Sequence, residues 1–263
     1  MINYLITSFF LTMIIHTAET LSYSLRYAGV KINKIAVALS LTGIMVLVSR
    51  TANLIQAPLT AKFIDFARTD PSFNVLYNLR IILIAASVGT FIAIVLFPTF
   101  VNIWARVISK LELAGSLPRL ISSVTVAQLR NTKRYIAKPT FRLQEFRYLG
   151  VSKRFIFLNI IVTAIYTVGV LSSLYAAHLV PELSTMASQS SGLINGIATI
   201  LLTIFIDPQV GLITDRALNQ EEYKEQLGKI YMLLMTSRFL GTLAAQTLLL
   251  PASYFICKVI QII

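Results

Sequence analysis

The chain has one cysteine, Cys257, and only eleven acidic residues among 263. A lone cysteine excludes an internal disulfide and a cysteine-rich metal site. Charged residues of either sign make up 13% of the chain against 56% hydrophobic, and the mean hydropathy is +0.74, which excludes an ordinary soluble domain. A nucleotide-binding loop, an HExxH pair and a flavin fingerprint are also missing, so nothing points to ATP hydrolysis or intramembrane proteolysis. No internal repeat and no Gly/Ser-rich or proline-rich linker divides the chain, and residues 1–263 read as one domain.

What is abundant is apolar residues and positive charge. Lys and Arg total 23, for a net charge of +12. In a chain this apolar, that excess predicts basic loops beside anionic membrane lipids rather than a nucleic-acid partner. No Asp, Glu, Lys or Arg occurs between Arg80 and Arg106, and that run exceeds the ~30 Å of hydrocarbon at ~1.5 Å per helical residue. The same holds from Phe155 to Pro181 and from Leu183 to Ile206. Three further spans, Ile2 to about Leu25, Ile35 to about Ala61 and Ile230 to about Phe255, carry a few ionisable residues. The expectation is an all-α polytopic membrane protein with six transmembrane helices. The first segment reads as a span and not a signal peptide, because it lacks a basic leading region and a small-residue cleavage site.

Basic residues orient the spans. Arg26, Lys31 and Lys34 follow span 1, residues 106–154 after span 3 are densely basic, and Arg216, Lys224 and Lys229 follow span 5. These loops are expected in the cytoplasm, which places both termini outside. The large loop between spans 3 and 4 mixes apolar residues with Arg and Lys at helical spacing, broken by Pro118 and Pro139. It predicts short amphipathic helices at the cytoplasmic interface, gathering anionic headgroups.

Several polar residues lie inside the spans. In "HTAETLSYSLRYAGV", Thr12, His16, Glu19, Tyr23 and Arg26 share an arc of about 80° on the first helix at ~100° per residue. Arg50 sits mid-span in the second helix with Asn53 on its side, and an arginine there costs ~2.5–3.5 kcal/mol if it faces lipid. The fifth span aligns Gly192, Gly196, Thr199, Thr203 and Asp207, and the last aligns Tyr231, Arg238, Gly241, Thr242 and Ala245. Counting ~1.5 Å per residue from the flanking basic residues, Glu19 lies roughly 10 Å deep and Arg238 roughly 14 Å. These two are expected to meet, with Asp207 either joining them or sitting at the interface before Pro208. Arg50 counts about 24 Å deep, outward of Glu19 and not paired with it.

Two readings of these residues stand side by side. In one, Glu19 with Arg238, and Asn53 or Gln56 with backbone, fix helix packing. In the other they line a hydrophilic path in which Arg26, Arg50 and Arg238 offer planar forks to phosphate oxygens, while Glu19, with Asp207, gates an arginine. His16 has no second ligand at metal spacing and reads as a hydrogen-bonding helix residue.

"HTAETLSYSLRYAGV" followed by "KIAVALSLTGIMVLVSRTANLIQAPL" resembles the Amj family, the alternate lipid II flippases of bacterial cell-wall synthesis. The resemblance is carried by residues 16–60, and beyond them by length and span number. It implies transport, not catalysis: movement of undecaprenyl-pyrophosphate-linked peptidoglycan precursor (lipid II) from the inner to the outer leaflet of the bacterial cytoplasmic membrane, without a soluble cofactor. His16, Glu19, Tyr23, Arg26, Arg50 and Asn53 fall within the matching motifs as candidate path residues, while Asp207 and Arg238 rest on helix geometry. Six helices make a small housing for such a headgroup, which suggests a homodimer. The contrasting function is a non-transporting scaffold that recruits cell-wall enzymes through the basic loop around Arg130 to Arg147.

Overall fold

The computed structural model describes residues 1–123, 135–137 and 151–263. Every regular element among them is helical: α1 (Ile2–Lys31), α2 (Ile35–Thr69), α3 (Val75–Ala114), α4 (Leu117–Ser123), α5 (Lys153–Leu179), α6 (Ser184–Gln189), α7 (Ser191–Leu201), α8 (Asp207–Asn219) and α9 (Glu221–Ile262). Six stretches are long and apolar enough to cross a membrane; α6, α7 and α8 belong to the fifth, Pro181–Asn219. An even number of spans puts both termini at one end, called here the terminal end; the α1–α2 turn marks the opposite, turn end.

The helices follow one another in space as α2–α1–α3–α9–α5–α7, with α1 also touching α9. Among the described residues no extensive packing joins α2 to α7, and α2 meets α5 only lightly, so the ring is open between α2 and α7. Small residues set the close approaches. A Cβ on Gly29 would lie 2.3 Å from the Ala38 Cβ, which brings α1 against α2 just before their turn. A Cβ on Gly241 would meet the Ile160 carbonyl at 2.7 Å, drawing α9 onto α5. Asn159 of α5 seals that seam by donating to the Leu234 carbonyl (3.2 Å) and the Ser237 hydroxyl (2.6 Å). A buried amide is stable in such a place because both its neighbours are polar.

Two apolar clusters close the ends of the bundle. One, at the turn end, gathers Leu21, Leu25, Phe97, Tyr231 and Leu234; the other, at the terminal end, gathers Phe63, Leu79, Leu174, Leu249 and Ile256. Helices α3 and α9, with 40 and 42 residues, run about 60 Å at ~1.5 Å per residue, twice the hydrocarbon thickness. Their excess lies at the turn end, where Lys34 pairs with Glu112 at 2.6 Å and Lys224 donates to Asn33 at 2.9 Å.

The fifth span departs from the uninterrupted helix expected over Leu183 to Ile206. It breaks at Ser190, and α7 then widens into a π-helical turn at Leu202–Ile206. Pro208 explains the widening: it has no N–H for the Ile204 carbonyl, and its ring crowds that oxygen. Of the basic loop after α3, α4 is described, and Tyr135–Ala137 docks on α3. The Ala137 N–H donates to the Thr99 hydroxyl (3.1 Å), Asn102 donates to the Tyr135 carbonyl (3.4 Å), and Arg106 donates to the Tyr135 hydroxyl. The rest of this loop, 124–134 and 138–150, where the short amphipathic helices are expected to continue, lies outside the described residues.

Candidate functional site

Between the two apolar clusters the interior is polar. Helix α1 buries Ser8, Thr12, His16 and Thr20 four residues apart, one stripe turned inward. The α1–α2 hairpin sets the register of this stripe: Gln56 donates to the Thr12 hydroxyl at 3.3 Å, and Ser49 donates to Glu19 Oε1 at 2.9 Å. From across the bundle, Arg238 of α9 reaches Glu19 Oε2 at 3.3 Å, as the depth count anticipated. Both side chains of the pair are about four-fifths buried, at 20% and 17% exposure.

Two chambers flank this pair. The first, ≈100 Å³, lies on the terminal side and is lined by Thr12, His16, Asn53, Gln56, Thr167 and Asn195 among others. The second, ≈300 Å³, lies toward the turn end and includes Ser22, Met45, Thr163, Thr199, Leu202 and Arg238. Glu19, Ser49, Arg50 and Tyr166 line both and form the partition between them. The second chamber faces the gap between α2 and α7, where Arg50 and Thr199 are exposed and the widened turn of the fifth span begins at Leu202. Broken or widened helices at membrane depth are tolerated where protein buries them or they line a cavity, and Leu202 at the start of the widened turn lines the second chamber.

Arg50 corrects the expectation that it lies outward of Glu19, while the expectation that the two do not pair holds among the described residues. It follows Ser49, which bonds Glu19, so it stands level with the carboxylate. The depth count failed because it set the membrane surface at Arg26, whereas α1 continues to Lys31 and buries Ala28, Gly29 and Val30 on the way. No hydrogen bond or ion pair holds the Arg50 guanidinium among the described residues, and Arg50 lines both chambers.

The remaining candidates divide. His16 and Asn53 line the first chamber, and His16 Nδ1 is buried without a hydrogen-bond partner. Tyr23 lines neither chamber; it packs on Tyr231 at 5.3 Å in the turn-end cluster. Arg26 is half-buried on the same side, its Nε without a partner, and also lines neither. Asp207 is exposed at the start of α8, outside both chambers and away from the ion pair.

Sequence reasoning missed Ser49, Tyr166 and Asn195. Tyr166 and Asn195 are polar residues in the middle of spans without a charge, and that isolation is the signal available, since tyrosines otherwise favour the interfaces. Asn195 reaches the chamber because Gly169 of α5 leaves it room: a Cβ there would lie 1.8 Å from Asn195 Oδ1.

The ion pair supports a measurable expectation. Glu19→Gln and Arg238→Met should each lower thermal stability in detergent, and the double variant should lose less than the two combined. The coupling should be about 0.6–1.7 kcal/mol, the range for polar contacts between membrane helices. Strict additivity would show that the pair contributes nothing to packing.

Fold and site together define a polytopic α-helical membrane protein with a charged, laterally open interior. The chain belongs to the Amj family: residues 11–260 match the family described as "Alternate to MurJ". It is 38% identical over 247 residues to the protein named Lipid II flippase Amj of Bacillus subtilis (strain 168), covering 93% of this chain and 92% of that one. No solved structure matches.

Proposed function

We propose that this protein translocates lipid II from the inner to the outer leaflet of the bacterial cytoplasmic membrane, a reading supported by the name of its Bacillus subtilis relative, Lipid II flippase Amj. The observation that carries the reading is the second chamber, which Arg50 and Arg238 both line beside the gap between α2 and α7. A pyrophosphate-sugar headgroup cannot enter hydrocarbon without a replacement for its water. Two guanidinium forks supply charge-assisted donors for the phosphates, and the lateral gap lets the polyprenyl tail stay in lipid.

The orientation follows from charge. Lys31, Lys34, Arg216 and Lys224 cluster at the turn end, which is therefore cytoplasmic, and both termini face outward. On that reading the second chamber is the cytoplasmic approach and the first lies toward the exit. The basic loop at this end holds anionic lipid headgroups. Chambers of ≈100 and ≈300 Å³ are small beside a disaccharide-pentapeptide, which supports a working unit that widens, either by opening between α2 and α7 or as a homodimer.

Purified protein in vesicles of defined lipid is expected to expose labelled lipid II to an outer-leaflet reagent much faster than protein-free vesicles do. Such vesicles contain no enzyme to recruit, so activity there separates transport from scaffolding. Equal rates with and without protein would overturn the proposal in favour of the scaffold.

A further inference from the structure

Among the described residues, Glu19 is the single carboxylate on the wall of either chamber. The groups facing it come from every side. His16 lies one turn back on α1, Ser49 and Arg50 come from α2, Tyr166 from α5 and Arg238 from α9. Helix α3 presents Ile82, Leu83 and Ala86, and α7 presents Asn195 and Thr199, none of them titratable.

We propose that Glu19 is a proton-binding site linked to anion occupancy of Arg50 and Arg238, so that binding a pyrophosphate diester takes up one proton at Glu19 through the first chamber. This rests on the reading that a pyrophosphate-linked lipid is the substrate. The argument begins with charge. An ionised Glu19 beside two arginines leaves the cluster with one net positive charge. A pyrophosphate diester carries two negative charges, so its arrival would leave one net negative charge at membrane depth, and a proton on Glu19 makes the assembly neutral. Uncompensated charge there is strongly disfavoured.

The contacts permit the exchange. Arg238 holds Glu19 through one long contact of 3.3 Å, and a phosphate oxygen competes for the same guanidinium. Ser49, at 2.9 Å, is a partner for the carboxyl in either state, because a hydroxyl both donates and accepts. Once protonated, Glu19 turns from a competitor for Arg238 into a donor toward the incoming phosphate.

A route for the proton is present on the side away from the anion. The first chamber reaches Glu19 and offers His16 Nδ1 and Asn195 Oδ1, both buried without a protein partner. Buried groups of this kind pair with ordered water, and a polar cavity of ≈100 Å³ has room for several molecules. The two chambers thus divide the work: the wider one meets the headgroup, the narrower one supplies the proton.

The test uses the full-length protein in nanodiscs and a lipid II analogue with a short isoprenoid tail, whose phosphate diester keeps its charge from mildly acidic to mildly alkaline pH. Affinity is expected to rise about tenfold per unit fall in pH where one linked proton titrates. Glu19→Gln should flatten the profile at the tight-binding level, and His16→Gln should keep the slope. Infrared difference spectra should show a protonated carboxyl band when the analogue is added to the native protein, shifted in Glu19→Asp. That measurement decides the matter even if Glu19→Gln does not fold, and absence of the band overturns the proposal. A flat profile with binding retained overturns the linkage and leaves the substrate reading intact. A slope that survives Glu19→Gln but disappears in His16→Gln overturns the assignment to Glu19. No binding at any pH overturns the linkage and the substrate reading together.

Discussion

Replacing Arg50 by glutamine should reduce lipid II translocation roughly 10- to 150-fold while the protein stays folded at its normal membrane level. The magnitude is that of one charge-assisted hydrogen bond to an anion, about 1.5–3 kcal/mol, expressed as a rate. Folding should be spared because Arg50 has no hydrogen-bond or ion-pair partner to lose among the described residues, in contrast to Arg238 with its contact to Glu19. Arg50→Lys should fall between the two, since it keeps the charge and loses the planar fork. The measurement is leaflet exposure of labelled lipid II at matched, folded protein. Undiminished transport by Arg50→Gln would remove Arg50 from the path and return the mid-membrane polar residues to a packing role.

Gly89→Ala should produce the largest loss of stability of any conservative change in the spans, about 3 kcal/mol. A Cβ at this position would lie 2.3 Å from the Met13 carbonyl oxygen and 3.0 Å from the Met13 Cα and carbonyl carbon. All three obstacles are backbone, so no side chain can rotate away, and α1 and α3 must separate; overpacking of this kind reaches the upper end of its usual range. Separation also strains the Thr17 hydroxyl, which shares its one proton between the Met13 carbonyl on its own helix (2.7 Å) and the Gly89 carbonyl across the seam (2.9 Å). The consequence reaches the site, because α1 carries His16 and Glu19. Gly192→Ala and Gly43→Ala are the controls: a Cβ at either meets nothing within 4 Å, and both should be close to neutral. Thermal unfolding of the three variants in detergent checks the order, and equal stability of Gly89→Ala and the native protein would refute the close α1–α3 contact.

How legible the site was depended on the kind of information each residue carries. Glu19 and Arg238 could be matched because each lies within a few helical turns of a basic segment and on the polar side of its own helix. The same procedure misplaced Arg50, since it took Arg26 for a surface marker. In the folded protein Arg26 is half-buried, and α1 runs five residues further before it turns at Asn33. A charge marks the membrane surface only when tertiary structure leaves it there. Of the two places expected for Asp207, it does not take the one beside the Glu19–Arg238 pair: it is exposed before Pro208 at the start of α8 and lines neither chamber.

The sequence by itself determined the solvent this protein lives in, the number of its spans and its family resemblance, because hydropathy and motif are sums over contiguous residues. Only the tertiary structure decided that Arg50 stands beside the Glu19–Arg238 pair, and that Ser49, Tyr166 and Asn195 complete the chambers. Those meetings depend on the rotation and register of helices against one another. They are set by where glycines such as Gly89 and Gly241 let backbones close and Gly169 admits the Asn195 side chain, a property of pairs of surfaces that no single segment contains.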